Sequence, residues 1–413
     1  MSLFKSLLCQ TPTPSRRALL VSGGALFAFA QIPKLAHAAG GRDTRLVVII
    51  LRGALDGLAT VAPVGDPDYA GLHGDIALSL TGEHPAMPLD GFFALHPAMP
   101  AFARLYKSGQ ALVVHATATA YRERSHFDGQ DVLESGLGGP GLVSSGWLNR
   151  ALEALAGGER IHGRQALAVG PVTPLILWGA APVLGWAPQT MPLAGDDLAA
   201  RVMDLYTHRD PALADALRLG LDTDRMAARQ GMGADKAKGG GDPAFMRQAA
   251  AGAARLMAAS DGPRIAAMAF DGWDTHAQEG GATGRLAQLL GGLDGAIEAL
   301  KQGLGDTWKN TAVVVLTEFG RTARINGTVG TDHGTGTLAL LAGGAVKGGR
   351  VLADWPGLKP AQLYENRDLR PTTDLRSVLK GVLAGQFDLS GSLLADKVFP
   401  DSGAVPVMAG LVG

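Results

Sequence analysis

Acid and imidazole side chains recur in this sequence just beyond apolar runs. Asp56 closes LRGALDG after a β-branched run, Asp274 and His276 lie in FDGWDTH, Glu318 lies in LTEFGRT, and Asp332 and His333 lie in GTDHGTG. A further polar cluster, YRERSHFDGQDVLESG, brings Ser125 and His126 together with Arg122 and Arg124. Carboxylate and imidazole donors without thiolate suit zinc, manganese, calcium or magnesium. Carboxylates that converged at one place would need a cation to be tolerated so close together. Each piece also has a plain reading: Asp-Gly as a turn, Asp274 and His276 capping a turn, Glu318 paired with Arg321 or Arg324 at the surface, and Asp332-His333-Gly334 as an Asx-turn.

These groups need elements that end at one place. The runs at 45–51 (RLVVIIL), 111–114, 264–270 and 312–316 have the composition of buried strands, each followed by a polar loop. Helical spacing fills 245–259 and 284–304, so the order is strand, polar loop, helix, strand, the rhythm of a parallel α/β sheet whose chemistry sits at the carboxyl ends of its strands. Further elements are expected as a helix from His96-Pro97 through Tyr106, a helix at 147–156, one or two short strands within 166–178, a strand at 337–341 and a closing helix at 375–383. Residues 69–93 are expected to be loop, and about 181–262 a helical insertion or cap that contains the linker-like stretch 231–242. Ser125 precedes a helical pattern with Asp128 three positions on, the arrangement of an N-cap with a box-like partner. The same position places a hydroxyl where a helix field favours anions.

The chain has 413 residues, with a formal net charge of -1, which supplies no electrostatic reason to expect nucleic acid or an anionic membrane as partner. Ser15-Arg16-Arg17 stands before the moderately apolar stretch 18–30, and Ala36-His37-Ala38 has the small residues of a cleavage site. Residues 1–38 are therefore expected to be a twin-arginine (Tat) signal that engages the Tat export machinery, leaving no membrane span after cleavage and a periplasmic or extracellular protein. The one cysteine, Cys9, would leave with it, so 39–413, expected as a single α/β domain, would have neither disulfides nor thiolate ligands.

The motifs LRGALDG, YRERSHFDGQDVLESG, FDGWDTH, LTEFGRT and GTDHGTG, in that order, resemble an exported bacterial domain-of-unknown-function family, number 1501, placed beside the sulfatases in the alkaline phosphatase superfamily. The resemblance runs from Leu46 to about Leu393. It implies an alkaline-phosphatase-like fold, with a mostly parallel central sheet flanked by helices, and a divalent metal at the carboxyl ends of the strands. On the same basis Asp56 resembles the first-strand metal aspartate and Ser125, beside His126, the nucleophile. Asp274 and His276 resemble the mid-chain ligands, Glu318 the acid after the next strand and His333, with Asp332 before it, the late ligand. Arg122 or Arg124 would hold a tetrahedral anion. Glu318-Phe319 departs from the Asp-His pair usual in alkaline phosphatases, and Asp274 and His276 are closer together than that pattern has them. No Ser-x-Pro-x-Arg signature of an ordinary sulfatase is present. The expected activity is hydrolysis of a phosphate, sulfate or related ester on a small molecule or polymer. The alternative is a non-catalytic exported scaffold or binding protein on the same fold.

Overall fold

The computed structural model describes residues 43–155, 166–188, 196–229 and 241–413. The expected signal at 1–38 lies outside the described residues, as does most of the linker-like stretch. A nine-stranded sheet is built from β1 (Arg45–Leu51), β2 (Ala111–Ala118), β3 (Ala166–Val169), β4 (Val183–Trp186), β5 (Ile265–Phe270), β6 (Thr311–Thr317), β7 (Thr337–Ala342), β8 (Arg350–Leu352) and β9 (Thr373–Asp374). Its order is β8-β2-β7-β6-β1-β5-β3-β4, with β9 paired to β2. The pairings among these strands are parallel except those of β7, which runs against both β2 and β6.

The main helices are α1 (Pro100–Lys107), α2 (His126–Ser135), α3 (Trp147–Leu155), α4 (Asp196–Arg209), α5 (Pro211–Arg229), α6 (Pro243–Ala258), α7 (Arg285–Leu304) and α8 (Leu375–Phe387). β1 is apolar along nearly its whole length because both its faces are covered. Val47, Ile49 and Leu51 pack toward α1, α6 and α7, whereas Leu46, Val48 and Ile50 pack toward α3 and α8. The spacing of Leu286, Leu289, Leu290, Leu293, Ile297 and Leu300 gives α7 one continuous buried stripe. Local stops and starts agree with it: Asp242 caps α6 by accepting from Ala244 N, Asp374 caps α8 by accepting from Arg376 N, and Gly305 ends α7 at φ +52°.

Three segments differ from the sequence expectation. β2 continues past Val114 through His115, whose buried ring is satisfied by the Val61 carbonyl at 3.0 Å, so a polar residue does not end the strand. The stretch 69–93 holds a short helix, Tyr69–His73, anchored where Ile325 N donates to the Leu72 carbonyl. Within 181–262, β4 extends the sheet edge in parallel with β3, α6 packs against α7 in the core, and α5 packs against β4 through Leu219, Met226 and Ala227, so this segment is joined to the sheet and is not a separate cap.

Candidate metal centre

The reversed strand explains how the site is assembled. β2, β5 and β6 all run the same way, so the segments leaving them emerge at one edge of the sheet. β7 runs the other way, so the segment entering it starts at that same edge. Hence α2 after β2, the loop after β5, the turn after β6 and the loop before β7 meet there, carrying His126, Asp274 with His276, Glu318, and His333.

Four side chains converge. His333 Nε2 lies 3.0 Å from His126 Nε2 and 3.0 Å from His276 Nε2. The Asp274 carboxylate completes the ring, 3.1 Å from His276 Nε2, 3.3 Å from His333 Nε2 and 3.5 Å from His126 Nε2. His126, Asp274 and His333 each place a ligand atom within 4.8 Å of the other two, and His276 joins them through His333 and Asp274.

The far nitrogens of the three rings decide what can sit between the near ones. His126 Nδ1 is 2.9 Å from Glu318 Oε1, His276 Nδ1 is 3.1 Å from Asp332 Oδ1, and His333 Nδ1 is 3.0 Å from the Arg124 carbonyl. Carboxylates and carbonyls only accept, so each Nδ1 carries a proton, and an Nε2 without one presents its lone pair to the cluster. The His126 and His333 Nε2 atoms and the Asp274 carboxylate then face one point, and His276 Nε2 borders it. Protonating one ring relieves one contact and leaves the others, whereas a single cation satisfies His126, Asp274 and His333 together, with His276 beside it. An imidazole held through its other nitrogen by an acceptor is also the usual state of a metal-ligating histidine.

Glu318 is wholly buried and already saturated. Its Oε1 accepts from Gly53 N at 2.8 Å, His126 Nδ1 at 2.9 Å and Gln130 Nε2 at 3.3 Å, and its Oε2 accepts from Thr317 Oγ1 at 2.9 Å. Burial pushes its pKa up, but these bonds, His126's first, outweigh that and hold it below the ordinary glutamate value. In return Glu318 raises the pKa of His126. Asp274, which is exposed, is also held low, its partial desolvation outweighed by the hydrogen bond and charge of Arg321, whose Nη1 donates to Asp274 Oδ1 at 2.6 Å.

The sequence expectation that six residues share one metal centre is corrected for three of them. Asp274, His276 and His333 belong to the ring. Glu318 and Asp332 stand one hydrogen bond behind it, orienting His126 and His276. Asp56 stands apart: its Oδ1 caps the helical turn Gly57–Thr60 through Ala59 N at 2.8 Å, and its Oδ2 faces His73. The arginines are corrected too. Arg122 folds back onto the Thr119 and Tyr121 carbonyls, and Arg124 is held by Asp368 and Glu365, so neither guanidinium is turned to the ring. Arg124 serves instead through its backbone, whose φ of +62° aims the carbonyl at His333 Nδ1. Ser125 occupies the N-cap position of α2 with no capping bond from its hydroxyl, and its N–H donates to Tyr121 Oη at 3.3 Å.

The sequence does not mark His126 as a ring member or Arg321 as the support of Asp274. His126 was placed beside a nucleophile, although its position at the first residue of α2 turns its ring toward β6, where Phe319 stacks on it at 5.0 Å. Arg321 was read only as a surface partner of Glu318, yet it is 1% exposed and is bound to Asp274 and Thr331. Backbone close approach matters at one glycine. Gly53 has φ +119°, and a Cβ there would lie 2.5 Å from Asp274 N. Gly53→Ala is expected to cost about 1–3 kcal/mol through strain at a left-handed position and to displace Asp274. A lowered denaturation midpoint together with reduced bound metal would register both effects.

A family model described as "Protein of unknown function (DUF1501)" matches residues 43–398. No curated protein matches the chain. Among solved structures, the PsFucS1 sulfatase from Pseudoalteromonas sp. is similar at 12% identity and TM-score 0.39, covering 97% of this chain and 77% of that one. The zinc complex of the C-terminal periplasmic domain of EcEptC from Escherichia coli is similar at 9% identity and TM-score 0.35, covering 73% and 74%. Phosphonoacetate hydrolase from Sinorhizobium meliloti 1021, in complex with phosphonoformate, is similar at 13% identity and TM-score 0.32, covering 68% and 57%. At this level of likeness no residue's role transfers.

Proposed function

We propose an activity for a chain that belongs to the DUF1501 family, proteins of unknown function: metal-dependent hydrolysis of a phosphate, sulfate or related ester after export to the periplasm or cell exterior. The observation that carries it is the convergence of three Nε2 lone pairs and the Asp274 carboxylate, each ring backed by its own acceptor. A divalent cation held by His126, Asp274 and His333, with His276 beside them, would supply Lewis acidity toward an anionic ester. The chain's own residues do the rest. Arg321 keeps Asp274 ionised, Glu318 and Asp332 hold two rings in the ligating tautomer, and Phe319 walls His126 on its buried side. Ser125, with a hydroxyl not spent on capping and a position at the helix amino end next to His126, is the candidate nucleophile. Export rests on the twin-arginine sequence, and no described helix is long and apolar enough to cross a membrane.

The protein is expected to hydrolyse at least one member of a phosphate and sulfate ester panel in added zinc, manganese, calcium or magnesium, and to lose that turnover to chelator. Ser125→Ala should abolish it. Full turnover in that variant would remove Ser125 from the reaction. One observation favours the non-catalytic alternative: the guanidiniums of Arg122 and Arg124 are committed to carbonyls and carboxylates and are not free to hold a tetrahedral anion. Silence across the panel from fully metallated protein would support that reading, with the centre serving to shape a binding surface.

A further inference from the structure

Asp274 lies in the irregular loop after β5, and both its oxygens are used: Oδ1 faces His276 and His333, and Oδ2 faces His126. The carboxylate is oriented from outside its own loop, by Arg321 Nη1 at 2.6 Å from Oδ1. Arg321 is fixed in turn by a single residue. Its Nε donates to Thr331 Oγ1 at 3.2 Å and its Nη2 donates to the Thr331 carbonyl, so Thr331 sets the plane of the guanidinium. A hydroxyl that accepts from an arginine still has its own proton to give. Thr331 Oγ1 gives it to Glu279 Oε2 at 2.7 Å. The line of hydrogen bonds therefore has one direction, from Arg321 through Thr331 to Glu279, and it ends on a wholly buried carboxylate.

Glu279 is itself held in place. Its N–H donates to the Val329 carbonyl at 3.0 Å, and its carbonyl accepts from Leu286 N, in the first turn of α7, at 3.0 Å. Thr331 N donates to the carbonyl of Thr275, the residue after Asp274, at 3.3 Å, so ligand and support share one frame. We propose that Glu279 is a positioning residue for the metal centre: it orients the Thr331 hydroxyl, which orients Arg321, which holds the Asp274 carboxylate at the point it shares with His126 and His333. The proposal rests on the metal reading of that point. Without an acceptor at Glu279, the Thr331 hydroxyl is free to turn its proton toward Arg321 Nε–H, which needs an oxygen lone pair there. Arg321 would then lose its fixed plane and Asp274 its fixed orientation. Groups that stand behind a metal ligand act on affinity in this way.

The test is the zinc affinity of the full chain, measured by competitive chelator titration, with denaturant unfolding of the metal-free protein to show that each variant is folded. Two variants break the line of bonds and two keep it. Thr331→Val removes the hydroxyl at nearly constant shape and Glu279→Met removes the acceptor, and each is expected to weaken zinc binding by about 10-fold or more. Thr331→Ser retains a hydroxyl and Glu279→Gln a carbonyl oxygen, so both should bind zinc as the unsubstituted protein does, a rescue that mere space-filling would not produce. The Glu279→Met/Thr331→Val double variant should fall no further than the weaker-binding single variant, because both act through Arg321. Glu279→Ala repeats the break without added apolar bulk, should Glu279→Met not fold. Unchanged affinity in Thr331→Val or in the folded Glu279 breaking variant, or additive losses in the double variant, would overturn the proposal. The metal reading fails on different evidence: unsubstituted protein that holds no zinc, or zinc held in full by Asp274→Asn, removes the centre itself and the proposal with it.

Discussion

Asp274→Ala is expected to abolish stoichiometric metal at the ring and also to destabilise the protein in the absence of metal. The first effect follows from removing the one anionic member of the ring, which leaves three imidazoles with no charge to offset the cation's own. The second follows from Arg321, fully enclosed, whose Nη1 loses its carboxylate partner. Removing one partner of a buried pair costs about 3–5 kcal/mol; Asp274 is 39% exposed, so solvent screening brings the expectation to about 2 kcal/mol. Asp274→Asn separates the two effects. Its amide oxygen still accepts from Arg321, so most of the stability should return while the metal does not. Elemental analysis beside a denaturant titration of metal-free protein reads both, and full metal occupancy in Asp274→Asn would remove Asp274 from the ligand set.

The second large effect is expected from Glu318→Gln, a change of one atom type at a residue that touches no lone pair of the ring. Glu318 Oε1 collects three donors, and an amide can present its oxygen to only some of them while its own N–H groups need acceptors that the surroundings lack. His126 then loses the acceptor that fixes the proton on Nδ1 and turns Nε2 outward. Loss of such a supporting partner typically lowers metal affinity by about 10–100-fold. Competitive chelator titration measures that shift. His126→Gln should lower affinity at least as far, and if Glu318→Gln left affinity unchanged, Glu318 would be a packing group only.

Much of this architecture is legible in the residues. The runs at β1, β5 and β6 announce themselves because strands covered on both faces carry no polar interruptions, and α6, α7 and α8 follow from apolar spacing. The reversal of β7 has no such signature: a six-residue apolar strand looks the same in either direction, and only its antiparallel pairing with β2 and β6 shows that Asp332 and His333, which enter it, lie at the edge where the other strands end. The rank order of the acids was illegible for a related reason. Asp274, Glu318 and Asp332 all sit beyond strand ends, but whether a carboxylate faces a shared point or supports a neighbour depends on which donors surround it. Glu318 was spoken for by Gly53 and Thr317, a backbone and a hydroxyl donor that no spacing marks. His126 was nearer to recognition than to its role, because a helix amino end suggests anions before it suggests a ligand.

The reversed strand also sets an order of events in time. His126 and His333 are 207 residues apart, and they face each other only when β7 has found its place between β2 and β6. Pairing across such separations is slow, since the intervening loops must be closed before any contact rewards them. The donors are therefore expected to meet late in folding, and contacts made after the transition state act on unfolding. Metal-stripped protein is expected to refold at nearly the rate of the metal-loaded form and to unfold faster. On this footing a cation held there would act as a latch on a finished chain, holding shut a structure that it did not help to build.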